Sequence, residues 1–90
     1  RPDLPQPRLF EAMIQDYRGA SAKALAELKV LERKHPSYAR AWLLEGLIYS
    51  HEKGAKRETV DAWKHFLVLQ PPGTVSRQVQ NLLKRIERAG

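Results

Sequence analysis

Apolar residues recur at spacings of three and four along almost the whole chain, and this helical periodicity constrains the fold more than any other feature. Five segments carry it, and almost none shows the strict alternation of a half-buried strand. In the last segment Val75, Val79 and Leu83 share one face, while Arg77 and Lys84 lie on the opposite one. The sequence therefore predicts an all-α fold with five helices.

Prolines and glycines mark where these helices begin and end. The fixed φ of Pro7 suits a first helical turn, and Gly19 is expected to stop the first helix. Pro36 ends the second helix, because the residue before a proline is driven out of the α region. The pair Pro71 and Pro72 closes the fourth. Hydroxyl side chains in front of apolar runs predict N-caps for the second, third and fourth helices: Ser21, Ser37 and Thr59.

The helix pairs repeat within the chain. With an offset of 34 residues, positions 9–14 of the first helix match positions 43–48 of the third in character. The second and fourth helices match at an offset of 38, which pairs Ala24 with Ala62 and Leu28 with Phe66. The extra four residues are expected in the turn around Gly54. Units of this length cannot bury their apolar faces alone, so successive units should stack.

The pattern resembles the tetratricopeptide repeat (TPR) family, over residues 6–72. The second repeat carries small and large residues at that family's spacing, namely Trp42, Gly46, Tyr49, Ala62 and Phe66. In the first repeat the corresponding residues are Ala12, Gly19, Ala24, Leu28, Leu31 and Pro36. Small residues would let two helices approach closely while the aromatic rings fill the space beside them. The chain departs from the family at Gln15 and Glu45, where an aromatic residue and a leucine are typical.

The resemblance implies a right-handed superhelix of two antiparallel helix pairs followed by a C-terminal capping helix. Residues 1–6 would be a proline-rich linker, 7–36 the first repeat, 37–72 the second repeat and 73–90 the capping helix. Two repeats and a cap suggest a slice of a longer array or a chain that self-associates.

In TPR proteins the first helix of each repeat lines a concave groove, which implies a binding surface here. The candidate residues for this peptide- or protein-binding groove are Leu9, Met13, Tyr17, Arg40, Leu43, Leu47 and His51. Such an apolar strip fits an extended or helical peptide, with Met13 as an adaptable contact and Arg40 as a partner for a carboxylate. Alternatively, the proline-rich N-terminal residues or a neighbouring protomer of a homo-oligomer cover these side chains.

The sequence contains no constellation typical of catalysis or metal binding. Its three histidines are far apart, and only Asp61 and His65 have helical i, i+4 spacing, which is typical of an exposed hydrogen-bonding pair. The chain has no cysteine. Paired carboxylates, a phosphate-binding glycine loop and a dinucleotide fingerprint are also missing from the sequence. We therefore expect no enzymatic activity, no cofactor, no metal and no small-molecule substrate.

The alternative function is nucleic-acid binding through a basic surface. The net charge is +6 and the pI is near 10.0, and four cations lie on the last helix: Arg77, Lys84, Arg85 and Arg88. The aromatic residues are assigned to repeat packing rather than to an exposed stacking platform, which disfavours this alternative.

Hydropathy and the N-terminal prolines bear on the cellular setting. The longest apolar runs are far shorter than the roughly 20 residues of a membrane-spanning helix, so no span is expected. Pro2, Pro5 and Pro7 are typical of a linker within a larger protein. The end of the chain is faintly similar to TPR domains of bacterial envelope and cytochrome-assembly proteins. This implies a bacterial soluble domain in the cytoplasm or in the cell envelope or periplasm.

Overall fold

The fold is seen in a computed structural model that describes residues 4–69 and 73–89. Within these ranges all regular structure is helical and no strand occurs, which confirms the all-α prediction. The helices are α1 (Pro5–Tyr17), α2 (Ser21–Lys34), α3 (Ala39–Ser50), α4 (Lys56–Leu69) and α5 (Thr74–Ala89). None of them combines the length and the apolar composition needed to cross a lipid bilayer.

Helix α1 begins two residues earlier than the sequence predicts. Leu4 is extended, with φ −85° and ψ 146°, and Pro5 is the first helical residue. Both Pro5 and Pro7 fit into the first turn, because the first four N–H groups of a helix have no intrahelical acceptor. Residues 5 and 6 therefore belong to α1 and not to the expected linker, of which residues 1–3 lie outside the described residues.

The three predicted N-caps are wrong. Ser21 is already the first residue of α2. Ser37 lies one residue before Tyr38, which precedes α3 directly and makes no side-chain cap. Thr59 lies inside the first turn of α4, where its Oγ1 donates to the carbonyl oxygen of Ala55 at 3.1 Å. Helix α4 starts before Thr59 because the exposed residues 56–58 include good helix formers, and a hydroxyl within a first turn can bond the preceding turn.

The predicted helix ends on either side of α2 are confirmed. Gly19 has φ +84°, in the left-handed region that glycine tolerates, and its N–H donates to the carbonyl oxygen of Asp16 at 2.9 Å. At the other end His35, before Pro36, has left the α region with φ −136° and ψ 70°. The predicted stop at Pro71 and Pro72 lies outside the described residues, and α4 ends at Leu69.

The helices pack as two pairs and a fifth helix. The most extensive contacts join α1 to α2 and α3 to α4, while α2 also packs on α3 and α5 on α4. Turns over 18–20 and 51–55 join the partners of each pair, and helices joined by such short turns and packed along each other run antiparallel. The chain measures 44 × 29 × 19 Å.

Two apolar clusters form the core. The first joins α1, α2 and α3, and its buried members are Ala12, Ala24, Leu28, Leu31, Ala41 and Ile48. The second joins α3, α4 and α5, and its buried members are Ala39, Trp63, Phe66, Val79 and Leu83. Because α3 contributes to both clusters, it is the element through which the two halves of the molecule are held together.

The helix bounds recur at the predicted offset for α1 and α3 but at a different offset for α2 and α4. Helix α3 begins 34 positions after α1, whereas α2 and α4 differ by 35 positions at both ends. The turn before α4 is two residues longer than that before α2, not four, and α3 is one residue shorter than α1. The offset of 38 residues differs from 35 by about one helical turn. Residues one turn apart share a helix face, which explains why apolar residues of α2 and α4 also match at an offset of 38.

The Trp63 side chain of α4 packs directly against Gly46 of α3. A Cβ placed on Gly46 would come within 2.2 Å of the indole of Trp63. The Trp63 indole N–H donates to the carbonyl oxygen of Leu43 at 3.1 Å, so its one polar atom is satisfied within this packing. Gly46 thus makes room for an aromatic ring between two helices, as the sequence predicted. The ring that lies against it is that of Trp63, which was not among the residues expected there.

A buried acidic pair lies where α2 meets α3. Glu45, which stands where TPR proteins have leucine, is 3% exposed, and Lys29 donates to its Oε2 at 2.6 Å. Glu32 is 7% exposed and lies within hydrogen-bonding reach of the Glu45 carboxyl. Burial, reinforced by this hydrogen bond and by the charge of Glu45, raises the pKa of Glu32 to about 9. Two buried carboxyl groups this close do not both ionise readily, so the pair retains a proton at neutral pH.

Candidate functional site

A cavity of about 370 Å³ opens between α1 and α3. We call it the groove. Its walls come from four helices, since α4 and α5 also reach it. The lining residues are Leu9, Met13, Arg40, Leu43, Leu44, Leu47, Phe66 and Val75.

Helical spacing places the apolar residues of the groove in two short rows. Leu9 and Met13 are four residues apart on α1, and Leu43 and Leu47 are four apart on α3, so each pair projects from one helix face. Leu9 and Leu43 are half-buried, whereas Met13 and Leu47 are 44% and 45% exposed. The groove therefore has a packed floor and an accessible apolar rim.

Among the residues that the structure describes, Arg40 supplies the one charged side chain that lines the groove. It lies in the first turn of α3 and is exposed. No hydrogen bond or ion pair joins its guanidinium to any residue that the structure describes. A guanidinium in this state can accept a carboxylate in bidentate geometry without losing an existing partner.

Five of the seven predicted site residues line the groove, and two do not. Tyr17 is the last residue of α1 and is 93% exposed, and His51 follows the last residue of α3 and is also exposed. Each stands one turn beyond Met13 or Leu47, where the helix ends. The cavity closes before it reaches them, so their predicted role has no support from this geometry.

Three lining residues are not among the predicted site residues. Phe66 is 2% exposed and forms part of the floor, which agrees with the packing role expected of it. Leu44 contacts both the groove and the first core cluster. Val75, at the start of α5, is 49% exposed. No spacing within the sequence relates Val75 to the rows on α1 and α3, because it reaches the groove through the packing of α5 on α4.

The histidines form no second site within residues 4–69 and 73–89. The His65 ring stacks on Trp42 with a centroid distance of 3.7 Å, and no hydrogen bond joins it to Asp61. No group of three His, Cys, Asp or Glu side chains in these ranges is placed to hold a metal ion. The Trp42 indole N–H donates to the carbonyl oxygen of Pro36 at 3.3 Å, which ties this aromatic pair to the turn before α3.

The four cations predicted to form a basic surface lie outside the groove. Arg77, Lys84, Arg85 and Arg88 are all exposed on α5. On the same helix Glu87 accepts an ion pair from Lys64 of α4 at 3.2 Å. The groove and the basic surface of α5 are thus separate features that can be tested by separate substitutions.

Comparison with known proteins found no match to this chain among protein-family profiles, curated proteins or solved structures. The groove geometry and the sequence pattern therefore carry the functional proposal.

Proposed function

We propose that this protein is a non-enzymatic interaction module that holds a segment of another protein in the groove. The observation that carries the proposal is the cavity of about 370 Å³ that collects Leu9, Met13, Arg40, Leu43 and Leu47. Large apolar side chains left accessible in a concave surface are typical of binding sites, since burying them against a partner is favourable.

The proposed ligand is a peptide segment with two apolar side chains and a carboxylate. The apolar side chains would pack on Met13 and Leu47, and methionine adapts to partners of different shape. The carboxylate would pair with Arg40, which has no partner among the described residues. Charge complementarity with a chain of net charge +6 also favours an acidic segment.

A TPR-like right-handed superhelix is the proposed arrangement of the helices. Three observations support it: the 34-residue recurrence of the starts of α1 and α3, the short turns within each pair, and the close approach at Gly46. In such a stack α5 acts as the capping helix, covering Phe66 with Val79 and Leu83. The groove lies on the side formed by α1 and α3, which is the concave side in this arrangement.

The groove is tested with a displayed library of random 12-residue peptides selected on the purified domain. Selected peptides should combine apolar residues with Asp or Glu. Leu47→Glu should weaken their binding at least tenfold, because a carboxylate would then stand in the apolar rim. Arg40→Glu should shift the selection away from acidic peptides. Leu47 is a better target than Leu43, which packs against the second core cluster.

Val68→Glu is the matched control for Leu47→Glu. Val68 is 84% exposed on α4 and does not line the groove, so the same chemical change there should leave peptide binding unchanged. Circular dichroism of both variants should match the parent chain. Failure to select any peptide, or equal binding by the Leu47→Glu variant, would contradict the proposal. A concentration-dependent dimer that dissociates on Leu47→Glu would assign the groove to a second protomer instead.

Nucleic-acid binding remains the second candidate, supported by the four exposed cations of α5. It is tested by titrating labelled 20-nucleotide single-stranded and duplex DNA at two salt concentrations. Binding that falls steeply with salt and is lost in Arg85→Glu/Arg88→Glu, but not in Leu47→Glu, would move the function to this surface.

A further inference from the structure

A second cavity, of about 210 Å³, is lined by residues of α2, α3 and α4. We call it the acidic cavity, because carboxylates and aromatic rings dominate its walls. The lining residues with an acidic or aromatic side chain are Trp42, Glu45, Tyr49, Glu58, Asp61 and His65. No residue lines both this cavity and the groove, so the two are separate features of the chain.

Two carboxylates of the acidic cavity have no counter-charge, although the chain as a whole is basic, with a net charge of +6. The cavity also contains Lys29, but its ammonium is already paired with the buried Glu45. Glu58 and Asp61 are exposed at i, i+3 positions on one face of α4. No hydrogen bond or ion pair joins either side chain to another residue that the structure describes. The cavity can therefore accept a cation without breaking an existing pair.

The buried Glu45 carboxyl has capacity for a further hydrogen-bond donor. It is 3% exposed, and its Oε2 accepts from Lys29 at 2.6 Å. Its Oε1 is also buried and accepts from no N–H group of any residue that the structure describes. The pair with Glu32 supplies a single proton, whereas a carboxylate oxygen can accept two hydrogen bonds. A donor that reaches Glu45 through the acidic cavity would therefore satisfy a buried acceptor.

The field of these carboxylates extends to the aromatic side of the acidic cavity, at Tyr49. Burial raises the pKa of the Tyr49 hydroxyl above 10.0, and the charges of Glu45 and Glu58 act in the same direction. The charge of Lys29 acts in the opposite direction without reversing the rise. A negative potential that disfavours a phenolate favours a cation in the same space.

The aromatic walls favour a planar cation. The rings of Trp42 and His65 are stacked, with a centroid distance of 3.7 Å and an angle of 12° between their planes. A guanidinium stacks on aromatic faces and pairs with carboxylates through a fork of N–H groups, whereas an ammonium is a compact point charge. A metal ion is disfavoured, because no three His, Cys, Asp or Glu side chains in the described part of the chain are placed to hold one.

We propose that the acidic cavity binds an arginine side chain of a partner protein. The guanidinium pairs with Glu58 and Asp61 and lies against the aromatic walls of the cavity. The occupant is not a second copy of this chain, because two chains of net charge +6 repel each other. The inference does not depend on the proposed function of the groove, since the two cavities share no residue.

The two tryptophans of the chain provide built-in reporters, because Trp42 lines the acidic cavity and the buried Trp63 does not. Their indole N–H signals are followed by heteronuclear NMR while the isotopically labelled chain is titrated with N-acetyl-arginine methylamide. The Trp42 signal should shift, and the Trp63 signal should stay in place. The uncharged citrulline analogue should cause no shift. The lysine analogue should bind more weakly, because an ammonium lacks the planar fork of a guanidinium.

Glu58→Gln/Asp61→Asn removes both exposed carboxylates with little change of shape and should weaken binding of the arginine analogue by about tenfold or more. Glu11→Gln/Asp16→Asn is the matched control, because it changes the net charge equally on α1 and neither residue lines a cavity. Leu47→Glu should bind the analogue as the parent chain does, which separates this site from the groove.

Three results would each overturn the proposal. The first is an unmoved Trp42 signal, or equal shifts of the Trp42 and Trp63 signals. The second is binding of the citrulline or lysine analogue as tight as that of the arginine analogue. The third is unchanged binding by Glu58→Gln/Asp61→Asn when circular dichroism shows that this variant is folded like the parent chain.

Discussion

The contact between Gly46 and Trp63 shows how one residue sets the distance between two helices. Gly46→Ala would place a Cβ 2.2 Å from the indole, which cannot move without losing its hydrogen bond to the Leu43 carbonyl. Overpacking of this kind costs about 1–3 kcal/mol, occasionally more. We expect urea unfolding of Gly46→Ala to show a loss of at least this size. Gly73→Ala is the control, since nothing lies within 4 Å of a Cβ there, and its stability should change little.

The Glu32–Glu45 pair makes stability depend on pH. The pKa of Glu32 rises from 4.5 to about 9 on folding, chiefly through burial, so the folded state holds a proton that the unfolded state releases. Its stabilising effect is therefore complete below about pH 4.5 and is lost as the pH rises through about 9. Lys29 also lowers the stability as the pH rises, but at higher pH. Its hydrogen bond to Glu45 raises the pKa of Lys29 above 10.5, so the stabilising effect of this contact is lost only when Lys29 loses its proton.

Glu32→Gln tests this account. The glutamine amide can donate to Glu45 without requiring a proton from solution, so the variant should equal or exceed the parent chain in stability at pH 8. Between pH 5 and 9 its free energy of unfolding should decline less steeply than that of the parent chain. Urea denaturation at four pH values measures both slopes, and parallel slopes would contradict the assignment of the proton to Glu32.

At the scale of elements, α5 is held to α4 by one apolar face. Val79 and Leu83 are 4% and 6% exposed, while Leu82, the neighbour of Leu83, is 39% exposed. Truncating a fully buried leucine costs about 2–5 kcal/mol, and an exposed one much less. We expect Leu83→Ala to fall within this range and Leu82→Ala to cost about 1 kcal/mol or less. Similar losses from both variants in thermal unfolding would show that α5 is also covered on its outer side.

At the scale of the whole molecule, α3 couples the two core clusters. The tryptophans, Trp42 and Trp63, both lie in the α3–α4 pair, so fluorescence reports on that half, whereas far-ultraviolet circular dichroism reports on all helices. Because Ile48 of α3 lies in the cluster formed with α1 and α2, the two halves should unfold together. We expect coincident urea transitions by both probes.

Ile48→Ala should lower the transition midpoint and separate the two probes, because it removes apolar contact between the pairs. Leu47→Ala, one position away on the groove side, should keep the probes coincident. Separate transitions in the parent chain would show that the two helix pairs are independently stable.

Much of the architecture follows from local rules that act over one or two turns. Apolar spacing alone predicts five helices, and the left-handed turn at Gly19 and the break at Pro36 are properties of those residues. The rows Leu9–Met13 and Leu43–Leu47 are likewise set by helical periodicity. The predicted N-caps are wrong because Ser21 and Thr59 fit inside a first turn, and because α3 begins after Tyr38 rather than directly after Ser37. The sequence alone does not say which of these alternatives packing selects.

Tertiary structure alone decided how far the groove extends and what fills the gaps between helices. Tyr17 and His51 continue the predicted rows but stand where the helices end, while Val75 joins the groove from a helix remote in sequence. The same holds for Glu32, whose raised pKa depends on its burial where α2 meets α3. Periodicity specifies which residues share a face of one helix, whereas the depth, ends and charge state of a site depend on how separate helices pack.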